Sequence, residues 1–135
     1  MSAKSVAAYF LIAATLSGCA TDGPSAATPV AKSESIAKAC EGRDGWGDPA
    51  PPAHVFGDTY MVGTCGIVSL LITTPQGHFL IDGAVPAAAT EIEANIRELG
   101  FDPKDVRFLL NTHEHIDHSG GLAGLKRITG AKMVA

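Results

Sequence analysis

The hydrophobic period of the chain changes at Asp82-Gly83, and that change limits the folds open to it more than any other feature. Before this point the apolar residues come in short runs, at residues 59–62, 67–73 and 78–81, which predict β-strands. The run Ile67-Val68-Ser69-Leu70-Leu71-Ile72 is almost continuously apolar, as in a strand covered on both faces. Thr74-Pro75-Gln76-Gly77 has the chemistry of a hairpin turn, so the strands on either side of it are predicted to be antiparallel. After Asp82-Gly83, Ala88, Ile92, Ile96 and Leu99 fall at helical spacing, with Glu91, Glu93, Arg97 and Glu98 on the other face. Pro86 near the start and Gly100 just past the end bound this helix. A buried strand at residues 107–110 follows, then a second helix from Ser119 or Gly120 to about Thr129, stopped by Gly130, and a new strand over residues 132–135. Strand, helix, strand, helix, strand predicts a layered α/β arrangement.

A chain of 135 residues with 46% hydrophobic residues supports at most one compact domain. Ten Lys and Arg against fourteen Asp and Glu, with no basic run, exclude nucleic acid as a partner. Lys4 precedes an apolar stretch, residues 6–16, too short to span a bilayer and shaped like a secretory signal. Leu16-Ser17-Gly18-Cys19 at its end resembles the lipobox of bacterial lipoproteins, which implies acylation of Cys19 and a periplasmic protein lipid-anchored to the outer membrane. Residues 1–19 are thus read as export signal, the Ala-, Thr-, Ser- and Pro-rich residues 20–39 as a flexible tether, and residues 40–135 as the domain. Of the remaining cysteines, Cys40 and Cys65, an oxidising compartment permits pairing without requiring it, and the expectation is that they stay unpaired.

The chemistry lies where the strand at residues 107–110 meets the next helix, in Thr112-His113-Glu114-His115-Ile116-Asp117-His118-Ser119-Gly120-Gly121. His-x-His-x-Asp-His would arise by chance in this composition on the order of four times in ten thousand, so chance is a poor explanation. Zinc explains the spacing, because imidazole and carboxylate are ligands a catalytic zinc takes. His113 and His115, two apart in an extended loop, are predicted to share one ion, and Asp117 and His118, at the turn into the helix, to grip a second. The same alternation directs Glu114 and Ile116 away. His54, ahead of the strands, and His78, at a hairpin base, are predicted to be exposed or hydrogen-bonded histidines rather than ligands.

His113-x-His115-x-Asp117-His118 with Ser119-Gly120-Gly121 is similar to the signature of the metallo-β-lactamase superfamily. Trp46-Gly47-Asp48-Pro49, Tyr60-Met61-Val62-Gly63-Thr64, Gly77-His78-Phe79-Leu80-Ile81-Asp82-Gly83 and Asn95-Ile96-Arg97-Glu98-Leu99-Gly100-Phe101 resemble the N-terminal half of its subclass B3. His118, a ligand position in B3, argues against B1, and His113, an Asn in B2, argues against B2. The resemblance implies two zinc ions per intact domain, His113 and His115 on the first, Asp117 and His118 on the second, and Asp82 supporting the metal loop by hydrogen bonds. It implies hydrolysis of a β-lactam by zinc-activated water, with Asp117 acting catalytically through the second zinc, which steadies the departing amide nitrogen. It further implies that only the first half of an αβ/βα sandwich is present and that one further His for each zinc belongs to the other half, so residues 1–135 alone are expected to be inactive and poorly folded. Rival expectations are a lactonase, a glyoxalase-type thioester hydrolase, or a non-catalytic lipid-anchored remnant.

Overall fold

The computed structural model describes residues 36–134; the segment read as export signal, Cys19 and most of the segment read as tether lie outside the described residues. Six strands form one sheet in sequence order: β1 (Ala53–Phe56), β2 (Thr59–Met61), β3 (Leu70–Ile72), β4 (His78–Ile81), β5 (Val106–Leu110) and β6 (Lys132–Val134). The pairs from β1 to β4 are antiparallel, whereas β4–β5 and β5–β6 are parallel. The change of pairing coincides with the change of hydrophobic period, because a parallel neighbour requires a crossover and the helical segments supply it. α2 (Ala89–Glu98) crosses from β4 to β5, and α3 (Ile116–Ser119) and α4 (Leu122–Thr129) cross from β5 to β6. A single helical turn, α1 (Ile36–Ala39), occupies the end of the segment read as tether.

Strand alternation sorts the apolar side chains into two faces. Leu71, Leu80 and Leu109, aligned across β3, β4 and β5, are fully buried and form one core with Ile92 and Ile96 of α2 and Leu122 and Leu125 of α4. Their neighbours along the strands, Leu70, Ile72, Phe79, Ile81, Phe108 and Leu110, point to the other face and are half-buried. There Phe79 and Phe108 stack with ring centroids 5.2 Å apart. The expectation that residues 67–72 form a strand covered on both faces is therefore corrected: β3 begins at Leu70, and the described helices cover one face.

Residues 62–69 form a tight loop instead. Thr64 N–H donates to Ile67 O (2.8 Å), Ile67 N–H returns to Thr64 Oγ1 (3.1 Å), and Val62 N–H donates to Ser69 O (2.9 Å), which turns Ile67 inward and leaves Val68 exposed. The segment before β1 is laid along this loop. Cys65 N–H donates to Asp48 O (2.8 Å), Thr64 Oγ1 to Trp46 O (2.9 Å), and Pro49 bridges Thr64. This apposition brings Cys40 and Cys65 to a Cα separation of 5.4 Å, where they form a disulfide, and the expectation that they stay unpaired is corrected. Buried Asn95 of α2 clamps the same segment, its amide donating to Ala50 O (3.0 Å), Val62 O (3.0 Å) and Gly63 O (3.3 Å).

Candidate metal centre

Parallel pairing of β4 with β5 places Ile81 opposite Leu110, so the residues that follow each strand emerge side by side at one end of the sheet. Asp82 follows β4 in a left-handed conformation (φ 61°), with its N–H donating to Leu110 O (2.9 Å). Its buried carboxylate accepts from Thr112 N–H (2.8 Å), Thr112 Oγ1 (2.7 Å) and His118 Nδ1 (2.8 Å). Burial alone would raise the carboxyl's pKa, but the hydrogen bonds from His118 and Thr112 and the nearby imidazole outweigh it, and the net shift is downward. An ionised carboxylate only accepts, so the His118 Nδ1 facing it carries a proton, and Nε2 is the ring nitrogen left to face a metal. That Nε2 lies 3.4 Å from Asp117 Oδ2. Orienting one imidazole nitrogen through a carboxylate to free the other is how proteins prepare a histidine for a metal.

One ligand atom each from His113, Asp117 and His118 lies within 4.8 Å of the others, a separation a metal ion can close with small side-chain rotations. His115 stands at the rim, its ring centroid 4.8 Å from that of His113, while the rings of His113 and His118 are 4.1 Å apart. The four predicted ligands are thus gathered at one place, but the compact group is His113 with Asp117 and His118 rather than His113 with His115. Two nitrogens and a carboxylate are a donor set that fits zinc. Asp117 and His118 lie within the turn α3, with His115 as its N-cap residue, so helix begins earlier than the sequence suggested. Ser119 Oγ closes the loop by bonding Glu114 O (2.9 Å) and His115 O (3.0 Å), and Glu114 and Ile116 are exposed.

His54 bonds Gly57 O (2.7 Å) in the β1–β2 hairpin, with three strands between β1 and β5. His78 accepts from Thr74 N–H (3.3 Å) at the start of β4, at the other end of the sheet from the cluster. Sequence reasoning missed Thr112, which bonds Asp82 twice; its place between the strand end and the first histidine was the available signal.

A mixed sheet with helices on one face and a His/Asp cluster at the end of its parallel strands defines an α/β protein with a metal-type site. The chain belongs to the metallo-beta-lactamase superfamily, whose family model matches residues 62–134. Among solved structures it is similar to the metallo-beta-lactamase MIM-1 from Novosphingobium pentaromativorans, with 54% identity and a TM-score of 0.72 over 73% of this chain and 37% of that one. It is also similar to MEM-A1, a subclass B3 metallo-beta-lactamase from a soil metagenome library, with 50% identity and a TM-score of 0.66 over 67% of this chain and 34% of that one. A more distant curated relative, the N-acyl homoserine lactonase AttM of Azorhizobium caulinodans, is 33% identical over 44% of this chain and 31% of its own. The chain therefore spans about a third of the length of the proteins it resembles.

Proposed function

We propose that this polypeptide belongs to a zinc-dependent hydrolase of subclass B3 type that opens the ring of β-lactam antibiotics. The observation that carries the reading is 54% identity to a metallo-beta-lactamase over 73% of the chain, and the family model's match over residues 62–134 takes in the His/Asp cluster. His113, His115, Asp117 and His118 would hold two zinc ions. Bound zinc supplies Lewis acidity and lowers the pKa of water toward neutrality. Asp117 contributes the negative charge of the set, Asp82 and Thr112 hold His118 in its ligand tautomer, and Ser119 fixes the loop that carries His115. Four donors for two ions leave each short of the usual three protein ligands, which favours a site completed by residues beyond those described.

Chelator-sensitive hydrolysis of nitrocefin and a carbapenem, measured beside an N-acyl homoserine lactone, tests the reading on the polypeptide as its reading frame encodes it. Turnover of both β-lactams, restored by zinc, is expected. Lactone opening without β-lactam turnover would transfer the assignment to the activity named for the AttM relatives. We also propose that the protein is a periplasmic lipoprotein, on the strength of the Leu16-Ser17-Gly18-Cys19 motif. Metabolic labelling with a fatty acid is expected to mark the native chain and not Cys19→Ser, and an unlabelled native chain would overturn it.

A further inference from the structure

The turn after β4 is strained. Among the described residues, Asp82 (φ 61°) and Ala84 (φ 51°) are the non-glycine positions with left-handed backbone, a conformation that crowds an alanine's own Cβ. Such a residue persists only where its surroundings over-determine it. Ala84 is fully buried, its methyl held in the core cluster that includes Leu122 and Leu125. The turn grips the metal loop along the main chain: Gly83 N–H donates to His118 O (2.7 Å), and Gly121 N–H donates to Ala84 O (3.0 Å). The contact is so close that a Cβ on Gly121 would overlap the Gly83 carbonyl, and one on Gly120 would stand 2.6 Å from Pro86 Cδ. One residue before Gly83, Asp82 bonds the imidazole of the same histidine. His118 is thus held by its carbonyl and by its ring from two consecutive residues, Gly83 and Asp82, while the next residue, Ala84, holds Gly121 of the same loop.

We propose that Ala84 is a positioning residue for His118: its buried methyl locks the left-handed turn at residues 82–84 in one register, and the turn fixes both the main chain and the ring of His118. Glycine would accept this φ without strain but would surrender the anchor, leaving the turn free to sample other conformations. The significance for metal binding rests on the function proposed above, but the positioning itself can be read without any metal.

The test uses the full polypeptide as encoded, first metal-free, with 15N-labelled histidine, following solvent exchange of the His118 Nδ1–H proton, and then by titration with Co(II). Ala84→Gly is expected to melt cooperatively, to exchange this proton about tenfold faster and to bind Co(II) about tenfold more weakly, as loss of a group that orients a ligand does. Gly124→Ala, which presses α4 against Ala89 away from the turn, is expected to alter the melt and neither of these readouts. Pro86→Ala loosens the turn from its other end without touching the methyl, and about threefold faster exchange is expected; it decides the matter alone should Ala84→Gly not fold. Native exchange in every folded variant of the turn would overturn the proposal, as would Gly124→Ala moving both readouts as far as Ala84→Gly. A native protein that binds no Co(II) would defeat the metal reading while the proton exchange still decides the role of Ala84.

Discussion

Asp117 supplies the carboxylate in the compact group with His113 and His118, so its charge offsets that of an ion no neighbouring imidazole can neutralise. Asp117→Ala is expected to lower zinc affinity by about ten- to a hundredfold and β-lactam turnover with it. Calorimetric titration with zinc checks the first effect, and full stoichiometry at native affinity would remove Asp117 from the ligand set. A second prediction concerns the opposite end of the sheet. Burial lowers the pKa of His78, and the Asp105 charge does not restore it. Because the folded-state value lies below the ordinary 6.5, the unfolded chain takes up this proton first as pH falls, so stability is full above about 6.5 and declines below it. His78→Phe, which keeps a ring against Phe101, is expected to show a smaller drop in melting temperature between pH 7 and pH 5.5; an equal drop would show that His78 does not carry it. At this scale the site was legible where it is contiguous. His113, His115, Asp117 and His118 lie within six residues and announce themselves by type and spacing. The roles of Thr112 and Ala84 were not legible, since one depends on two strands lying parallel and the other on the sign of a dihedral angle.

Among the elements, α2 does more than cover the sheet. Its Asn95 sits at a helical position that the apolar pattern skips, yet it is buried and gives its amide to three carbonyls of the segments flanking β1 and β2. Asn95→Ala strips those carbonyls of a donor in a dry environment and is expected to cost about 2–3 kcal/mol. Urea melts of the two proteins check it, and a loss below about 0.5 kcal/mol would mean that water replaces the amide. Helices and most strands could be read because period 3.6 and period 2 are local signals. β1 could not: Ala53-His54-Val55-Phe56 follows two prolines and buries only Ala53, so nothing in its pattern distinguishes it from a loop. Residues 67–69 erred the other way, because apolar composition reports burial and not extension. The disulfide escaped the sequence for a third reason, since the contact of residues 44–50 with residues 62–67 is set by hydrogen bonds between loops.

For the molecule as a whole, the half-buried row of Leu70, Ile72, Phe79, Ile81, Phe108 and Leu110 matters most. Apolar area that stays in water forgoes about 25 cal/mol per Å² of stabilisation, so a face of this kind can decide whether a domain with a few kcal/mol to spare folds. Residues 1–135 expressed alone are expected to aggregate or melt without cooperativity and to leave nitrocefin intact. A sharp thermal transition with tight zinc and measurable turnover would show that the segment is self-sufficient. The disulfide bears on geography. It fastens Cys40 to the loop between β2 and β3, at the end of the sheet that also carries the histidines, so the chain arriving from Cys19 enters on the site's own side. About twenty residues separate Cys19 from Cys40, a leash of at most about 70 Å when drawn straight. With Cys19 acylated as proposed, the leash would hold the site within about 70 Å of the membrane surface that carries the lipid.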